Sequence, residues 1–383
     1  MSVTVNLPGG ETYRLRGGQG FARPAGPSTS RVAYAAAHVV ADPAAENVPG
    51  APAAVDWERT LAFRHHLWSY GLGVAEAMDT AQRGMGLDHA ACRELIRRSA
   101  AEARAVGGRI VAGVATDQLP PGPSALPLIT EAYLEQLAEV AAAGARPVLM
   151  CSRQLAATAT GAEDYLQVYD RLLTAADQPV VLHWLGDMFD PALAGYWGST
   201  DLDEATETVL QLIKDHQARV DGIKVSLLDA EREVDLRRRL PEGVRLYTGD
   251  DFNYPELIRG DEQGHSDALL GVFAAIAPAA ATALAALDAG DLASYDEVFA
   301  PTLPLARHLF ATPTWHYKTG IVFLAWLTGH QDHFTMLAGQ QAGRSPAHLA
   351  RLLVLADSAG LLPDADLAAA RARAYFTVAG VAQ

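Results

Sequence analysis

The chain has 383 residues, of which half are apolar and a fifth are charged, and its net charge is −15. This composition is typical of a folded globular protein and excludes a disordered, collagen-like or disulfide-rich chain. Because the chain is acidic and has no basic patch, the composition argues against binding to a nucleic-acid backbone.

The sequence also argues against a membrane or secreted protein. The most apolar run, Leu269–Leu287, is mostly alanine and contains Pro278, so it predicts a buried helix rather than a membrane span. Residues 1–20 lack the basic and apolar regions of a secretory signal. The two cysteines, Cys92 and Cys151, form no CxxC pair and are typical of a reducing compartment. We therefore expect a cytoplasmic protein without a membrane partner.

In chain order, residues 1–30 come first and are rich in Gly, Pro and Ser, with a short alternating segment at Thr12–Leu15. They predict an N-terminal arm. Short apolar segments then alternate with helical patterns. The apolar segments predict eight strands: Arg31–Val40, Gly73–Met78, Arg109–Ala115, Pro147–Cys151, Pro179–Leu185, Val220–Val225, Val244–Tyr247 and Ser266–Phe273. The periodic segments that follow them predict eight helices: Asp56–Tyr70, Asp88–Val106, Leu128–Gly144, Ala162–Ala176, Asp203–Gln217, Leu228–Leu240, Tyr254–Gly260 and Pro278–Leu287.

The remainder of the chain is predicted to be helical throughout. Its four predicted helices are Leu292–Phe310, Trp315–His330, Ser345–Ala359 and Ala365–Val378. Apolar strands without alternation are buried on both faces, as parallel strands between helices are. Eight successive strand–helix units predict an α/β fold of the (β/α)8 TIM-barrel type with a C-terminal helical extension. An open doubly wound sheet is the alternative, but no GxGxxG opens its first turn.

Accordingly, we expect three parts: an N-terminal arm (1–30), a barrel (31–290) and a C-terminal helical subdomain (291–383). The reactive groups of such a barrel lie at the carboxyl ends of its strands. The side chains predicted there are Asp79, Thr80, Gln82, Arg83, Cys151, Ser152, Arg153, His183, Trp184, Lys224, Ser226, Asp250 and Asp251.

Lys224 is the most informative of these residues. The chain contains only three lysines, Lys214, Lys224 and Lys318, and Lys224 lies within an apolar strand. A lysine is almost never buried without a partner or a function. Burial lowers its pKa, and the free amine attacks a carbonyl to form a Schiff base. The alternative is a lysine that reaches the strand end and pairs with Asp221 or Asp229.

Two segments around this lysine resemble a known family. Gly222-Ile-Lys224-Val-Ser226 resembles the GIKxS segment around the Schiff-base lysine of the dihydrodipicolinate synthase/N-acetylneuraminate lyase family. The segment Leu246-Tyr-Thr-Gly-Asp250-Asp251 resembles that family's SGDD-like strand 7. The resemblance spans residues 31–362 and implies a (β/α)8 barrel of the class I aldolases and dehydratases. It identifies the chain as a divergent, function-unassigned branch and implies a homo-oligomer.

The chain departs from the family at two binding segments. Where members carry GTTGE after strand 2, with a threonine pair that holds the substrate carboxylate, this chain has Asp79-Thr80-Ala81-Gln82-Arg83. Arg83 either clamps an anion or pairs with Asp79. His183 replaces the tyrosine of the family's strand-5 YNxP segment, where the tyrosine is a proton shuttle. A histidine can carry a proton at neutral pH, although a core histidine bonded to the backbone is equally consistent with the sequence.

These residues predict a class I lyase or aldolase that cleaves or dehydrates a small sugar-derived keto acid or keto sugar, a function in carbohydrate metabolism. Lys224 would form the imine and His183 would carry protons, so that neither a cofactor nor a metal is needed. The predicted substrate-binding residues are Asp79, Thr80, Gln82, Arg83, Ser226, Tyr247, Asp250, Asp251 and His265. Asp250 and Asp251 could instead cap the helix that starts near Tyr254.

Two alternatives remain. A metal-dependent sugar isomerase or epimerase would use a divalent ion held by Asp79, His183, Asp250 and His265, but no HxH, HExxH or CxxC motif supports it. His330 and His333 have helical spacing but lie in the C-terminal subdomain. The other alternative is a catalytically inactive sugar-binding barrel, which would leave the lysine in its apolar strand unexplained.

Overall fold

The computed structural model describes residues 3–18 and 20–383 and contains the predicted barrel. Two short antiparallel strands, β1 (Thr4–Asn6) and β2 (Thr12–Arg14), precede it. The barrel strands are β3 (Ala33–Ala36), β4 (Gly73–Glu76), β5 (Ile110–Val114), β6 (Arg146–Leu149), β7 (Val180–Leu185), β8 (Val220–Ser226), β9 (Arg245–Thr248) and β10 (Asp267–Leu270). All eight are parallel and pair in chain order, and β10 closes the ring by pairing with β3. The predicted fold class is therefore confirmed.

Helices follow the strands around the outside of the barrel. They are α1 (Trp57–Ser69), α2 (His89–Val106), α3 (Leu126–Ala143), α4 (Arg153–Thr158), α5 (Ala162–Ala175), α6 (Leu202–Asp215), α7 (Ala230–Arg239), α8 (Tyr254–Arg259) and α9 (Phe273–Asp288). Several begin where an aspartate can accept a backbone N–H of the first turn. Asp56 accepts from Arg59 and Asp88 accepts from Ala91, so both helices begin at the predicted caps.

The C-terminal extension is helical, as predicted, and its five helices are α10 (Leu292–Phe299), α11 (Thr302–Leu309), α12 (Tyr317–Leu327), α13 (Pro346–Ser358) and α14 (Ala365–Val378). The sequence predicted one helix where α10 and α11 stand. The chain breaks there before Pro301, which lacks the N–H that a continuous helix requires. Conversely, α9 begins at Phe273 and includes Pro278, with an irregular turn at Ile276.

The two ends of the chain pack on each other. The carboxylate of Asp357, at the end of α13, accepts hydrogen bonds from the Tyr13 hydroxyl and from the backbone N–H groups of Arg16 and Gly17. The Gln383 side chain bonds the backbone of Asn6. One apolar cluster joins the N-terminal strands, one side of the barrel and the C-terminal helices. The division at residues 30 and 290 remains a prediction.

No helix among residues 3–18 and 20–383 has both the length and the apolar character needed to cross a lipid bilayer.

Candidate active site

Lys224 lies in the interior of the barrel on β8, in register with His183 of β7 and Tyr247 of β9. Its relative exposure is 7%, and its Nζ atom has no hydrogen-bond or ion-pair partner among the described residues. It therefore does not pair with Asp221 or Asp229, the partners that the structural alternative required. Because burial disfavours the ammonium form, the pKa of Lys224 is lowered. This is the condition under which a lysine is a nucleophile near neutral pH.

Two carboxylates partly offset this effect on Lys224. Asp79, which follows β4, and Asp251, which follows β9, both act to raise the pKa of Lys224. Asp251 is buried and accepts a hydrogen bond from the Val272 N–H at 2.8 Å. Burial raises the pKa of Asp251 to about 7, against the opposing effect of Lys224. The amine thus has a neighbouring carboxyl that can exchange a proton near neutral pH.

Gly249 provides the space that the Lys224 side chain occupies. A Cβ atom at this position would lie 2.2 Å from Ser226 Oγ, 2.7 Å from the Val225 carbonyl oxygen and 2.8 Å from Lys224 Cε. No real Cβ makes such contacts. The close approach of β9 to β8 therefore requires a glycine before the Asp250-Asp251 pair.

His183 is buried beside Lys224, and its Nε2 atom lies 3.5 Å from Ser226 Oγ. Burial, with a smaller contribution from Lys224, lowers the pKa of His183 well below its ordinary value, so the imidazole is neutral. Its Nδ1 atom has no hydrogen-bond partner in the part of the chain that the structure describes. The Cys151 thiol donates to the His183 carbonyl oxygen. The structure thus brings His183 and Ser226 to Lys224, as expected from their strands.

Helix α12 adds two side chains that the sequence analysis did not place in the site. The Tyr317 hydroxyl lies 2.7 Å from Thr80 Oγ1, and burial together with Asp79 and Asp251 raises the pKa of Tyr317. Lys318 is 2% exposed, and its Nζ donates to Met85 Sδ at 3.1 Å. Burial lowers the pKa of Lys318 to about 8, although Asp79 acts to raise it. The signal in the sequence was the scarcity of lysine, since Lys318 is one of three and begins an apolar helix.

A cleft opens at the carboxyl ends of β4 to β7, next to these residues. Its polar lining consists of Asp79, Arg83, Thr116, Asp117, Ser152, Arg153, Gln154, His183 and Asp190, and its apolar lining includes Met150, Leu185 and Leu193. Thr116 Oγ1 lies 2.6 Å from Ser152 Oγ and donates to Gln154 Oε1. Hydroxyl, amide and charged groups therefore face the space in which a small polar molecule would fit.

Arg83 does not act as an anion clamp, and it does not pair with Asp79. Its guanidinium donates to both carboxylate oxygens of Asp117, at 3.1 and 2.6 Å. The other acceptors are the backbone oxygens of Ala77 and Gly113 and the side-chain oxygen of Gln136. All five N–H groups are thereby used within the protein.

Gln82 and Asp250 also have structural partners instead of facing the cleft. The Gln82 amide donates to the carbonyl oxygens of Met85 and Leu337 and fixes a loop. The Asp250 carboxylate accepts from the backbone N–H groups of Phe252 and Asn253 and from the Asn253 side chain. Of the two adjacent aspartates, Asp250 shapes the turn before α8 and Asp251 faces Lys224.

Tyr247 and His265 lie at the other end of the barrel. The Tyr247 hydroxyl donates to Asp221, near the start of β8, at 2.6 Å. His265 precedes the first residue of β10 and is exposed near Arg31 and Arg237. Both predicted binding roles are wrong, because one side chain points down the barrel and the other precedes its strand.

The ligand set of the metal-dependent alternative is not assembled. Asp79 and His183 line the cleft, Asp250 caps a turn and His265 lies at the opposite end of the barrel. In the described part of the chain, no three His, Cys, Asp or Glu side chains are grouped closely enough to hold a metal ion.

Comparison with known proteins agrees with the fold. Residues 6–381 match a protein family described as "Protein of unknown function (DUF993)". No curated protein matches the chain. The chain is similar to the solved structures of dihydrodipicolinate synthase from Aquifex aeolicus (14% identity, TM-score 0.65, covering 87% of this chain and 99% of that one) and Oceanobacillus iheyensis (14%, 0.64, 86% and 96%).

A third similar structure is dihydrodipicolinate synthase from Agrobacterium tumefaciens, with 17% identity, a TM-score of 0.63, and coverage of 86% of this chain and 98% of that one. The resemblance on which the sequence analysis relied is thus confirmed at the level of the fold.

Proposed function

The chain belongs to the DUF993 family of unknown function, and from this premise we propose that it is a Schiff-base-forming lyase or aldolase. The buried Lys224 carries the proposal. Its amine has no partner among the described residues, its pKa is lowered by burial, and it lies beside a polar cleft at the catalytic end of a TIM barrel. The fold it shares with dihydrodipicolinate synthases supports the same chemistry by analogy.

The reaction begins when the neutral amine of Lys224 adds to the carbonyl carbon of the substrate. The carbonyl electron pair moves to oxygen, which takes a proton to give a carbinolamine. Loss of this oxygen as water leaves a protonated imine. The imine then accepts the electron pair of the neighbouring carbon–carbon bond as the β-hydroxyl loses its proton, or the α-carbon loses a proton and the β-hydroxyl departs as water. Carbon–carbon cleavage leaves an enamine, whose α-carbon must take up a proton to give the product imine, whereas loss of the β-hydroxyl gives an unsaturated imine directly. Hydrolysis of either imine by one water regenerates Lys224.

Asp251 is the group we propose for the proton transfers at the imine. Its pKa of about 7 lets it donate and accept protons at neutral pH. His183, the proton carrier proposed from the sequence, is neutral here, and its Nδ1 has no partner within residues 3–18 and 20–383. We assign to His183 a hydrogen bond to a substrate oxygen. The Tyr317 hydroxyl, held by Thr80, is a second donor over the same space.

The proposed substrate is a small sugar-derived keto acid or keto sugar. Thr116, Ser152 and Gln154, which suit hydroxyl groups, line the cleft beside Lys224. Carbon–carbon cleavage and dehydration pass through the same imine, so only the identity of the products distinguishes the two reactions. The cytoplasmic location and the homo-oligomeric state remain predictions.

Reductive trapping tests the proposal. The protein is incubated with pyruvate, glyceraldehyde-type and keto-sugar compounds in the presence of sodium borohydride, and its intact mass is measured. We expect a stable adduct that peptide mapping assigns to Lys224. The chain has only three lysines, so the assignment is direct.

Lys224→Arg keeps the positive charge but removes the nucleophile, so this variant should form no adduct and lose all turnover. Lys214→Arg, at an exposed position of α6, is the matched control and should behave like the wild type. Turnover retained in Lys224→Arg, or no adduct from any compound in folded wild-type protein, would contradict the proposal.

A further inference from the structure

Two cations, one lining the cleft and one buried next to it, lack a full set of partners among the described residues. Arg153, the first residue of α4, lines the cleft, and its Nε donates to Asp190 Oδ2 at 2.5 Å. Its Nη1 and Nη2 groups have no hydrogen-bond partner among the described residues. Lys318, on α12, does not line the cleft itself but is buried close to it, because Asp79, Arg153 and Asp190, which all line the cleft, act on its charge. Arg153 of α4 and Lys318 of α12 therefore place two positive charges beside the same cleft.

Of the two residues, Lys318 gives the stronger indication of a ligand. Its side chain is almost completely buried, and within residues 3–18 and 20–383 its only hydrogen-bond acceptor is the thioether of Met85, while its Nζ lies 5.2 Å from the centre of the Tyr317 ring. A thioether is a weak acceptor, and a buried ammonium normally has carboxylate or carbonyl oxygens around it. Two of its three N–H bonds therefore remain available to an oxygen-rich ligand.

Two other charged residues of the cleft, Arg83 and Asp190, are already engaged. Arg83 is bound to Asp117, and Asp190 accepts from Arg153 and from the backbone of Ala192. The Asp79 carboxylate, by contrast, makes no hydrogen bond among the described residues, and it lies near both Lys224 and Lys318.

An imine at Lys224 would carry a positive charge, which Asp79 and Asp251 lie near enough to offset. Of the two carboxylates that act on Lys318, Asp79 would then be shared with the imine and Asp190 is bound to Arg153, so a negatively charged group on the substrate would supply a further anion.

We propose that Arg153 and Lys318 form an anion-binding subsite that holds a phosphate or carboxylate group of the substrate. The guanidinium offers paired N–H donors and the ammonium adds a point charge, a combination that suits tetrahedral and planar oxyanions alike. The proposal deepens the proposed function by naming the substrate class, a carbonyl compound with an anionic end. The subsite can nevertheless be tested without the chemistry at Lys224.

The first experiment measures the binding of inorganic phosphate by titration calorimetry. Arg153→Gln and Lys318→Met should each weaken this binding at least tenfold. Arg97→Gln, at an exposed position of α2 with a Glu94 partner, should leave it unchanged. Both variants should fold, because methionine has about the length of the lysine side chain and is compatible with the neighbouring Met85, and because Arg153 is exposed. Thermal unfolding of each variant checks this. Phosphate binding that is unaffected in both variants would overturn the proposal.

The second experiment compares paired carbonyl compounds in borohydride trapping at Lys224. Dihydroxyacetone phosphate is compared with dihydroxyacetone, and levulinate with its methyl ester. In at least one of these two pairs, the anionic compound should reach half-maximal labelling at a concentration at least tenfold lower than the neutral compound. In Arg153→Gln and Lys318→Met this difference should disappear, because labelling by the anionic compound becomes weaker while labelling by the neutral compound is unchanged.

The outcomes separate the two proposals. A preference confined to the phosphate pair or to the carboxylate pair identifies the anion. Equal labelling by charged and neutral compounds in both pairs contradicts the subsite while the Schiff base stands. The absence of any adduct, with phosphate binding that still depends on Arg153 and Lys318, contradicts the proposed function while the subsite stands.

Discussion

Lys224 and Asp251 show how burial and charge act together on single residues. Burial disfavours the charged form of each, so it lowers the pKa of the lysine and raises that of the aspartate. Their mutual attraction opposes both shifts. The result is an amine and a carboxyl whose proton affinities lie much closer together than those of exposed lysine and aspartate. Imine chemistry needs this arrangement, because the same proton must leave the amine and reach the departing oxygen.

The first prediction follows from the sign of this attraction. Asp251→Asn removes a negative charge that raises the pKa of Lys224, so the amine should lose its proton at lower pH. We expect the midpoint of Lys224 acetylation by trace acetic anhydride to fall by about one pH unit. Lys214, which is exposed, serves as the internal standard in the same sample. A midpoint that is unchanged or higher would show that Asp251 does not act on Lys224.

The sequence predicted the location of the residues that lie in apolar strands, and the roles of these residues remain predictions. Lys224, His183 and Ser226 are in or at the end of apolar strands, and the alternation of barrel strands brings them together. The directions of the Asp250 and Tyr247 side chains could not be predicted in this way. A carboxylate after a strand can face a pocket or cap a turn, and the direction of a tyrosine inside a barrel depends on which partner lies at either end.

Tyr317 and Lys318 were missed because they reach the site from a helix far along the chain. Periodicity predicts which face of α12 is buried, but it does not predict what that face contacts. Arg83 was misread for a related reason. Its partner Asp117 lies after the next strand, and no local pattern indicates that the two side chains meet.

At the level of elements, the site depends on how closely β9 approaches β8. Gly249 allows this approach, because any side chain there would meet the Val225 carbonyl oxygen and the stem of Lys224. Gly249→Ala changes no charge and no hydrogen-bonding group. We expect it to reduce borohydride trapping at Lys224 at least tenfold and the free energy of unfolding by about 1–3 kcal/mol, the usual cost of overpacking.

Gly161→Ala is the control for this prediction. Its Cβ would enter open space, and its backbone is extended, so trapping and stability should match the wild type. Wild-type trapping in Gly249→Ala would mean that Lys224 is less confined than the structure indicates.

Helix α7 is joined to the barrel by a buried carboxyl group. Glu233 accepts hydrogen bonds from Thr248 of β9 at 2.9 Å and from Ser266, next to β10, at 2.7 Å. Burial raises its pKa to about 8 from an ordinary value of 4.5. The folded protein therefore binds this proton more tightly than the unfolded chain does. The resulting stabilisation is complete below pH 4.5 and is lost as the pH rises through 8.

We predict that Glu233→Gln removes this pH dependence. The amide keeps an oxygen acceptor and cannot ionise, so the variant should gain stability relative to the wild type between pH 5 and pH 9. The gain should be on the order of 2–4 kcal/mol. Urea unfolding at both pH values measures it. Glu231→Gln, at an exposed position of the same helix, should follow the wild type. A constant difference between Glu233→Gln and the wild type would contradict the assignment.

For the molecule as a whole, the repeated strand–helix pattern was sufficient to predict the barrel. Eight buried parallel strands separated by amphipathic helices have few alternative arrangements. The packing of the chain ends was not predictable. The first strand, Thr4–Asn6, is too short to show a period, and its contacts with the last helix and with the end of the chain join residues more than 360 positions apart.

These long-range contacts bear on whether the barrel is independent of the rest of the chain. The apolar cluster that contains Val74 and Leu270 of the barrel also contains Val5 of the N-terminal arm and Phe323 and Leu352 of the C-terminal helices. Removing both ends would expose this surface to water at a cost of about 25 cal/mol per Å². It would also remove α12, which places Tyr317 and Lys318 next to the residues of the candidate site.

We therefore predict that residues 31–290, produced alone, do not form a native barrel. The fragment should bind 8-anilinonaphthalene-1-sulfonate, unfold without a cooperative transition and give no borohydride adduct at Lys224. The full chain should unfold in one transition, with tryptophan fluorescence and circular dichroism coinciding. A fragment that unfolds cooperatively without binding the dye would show that the barrel is stable by itself. If such a fragment also formed the adduct, Tyr317 and Lys318 would be dispensable for imine formation, and their contribution would be confined to the choice of substrate.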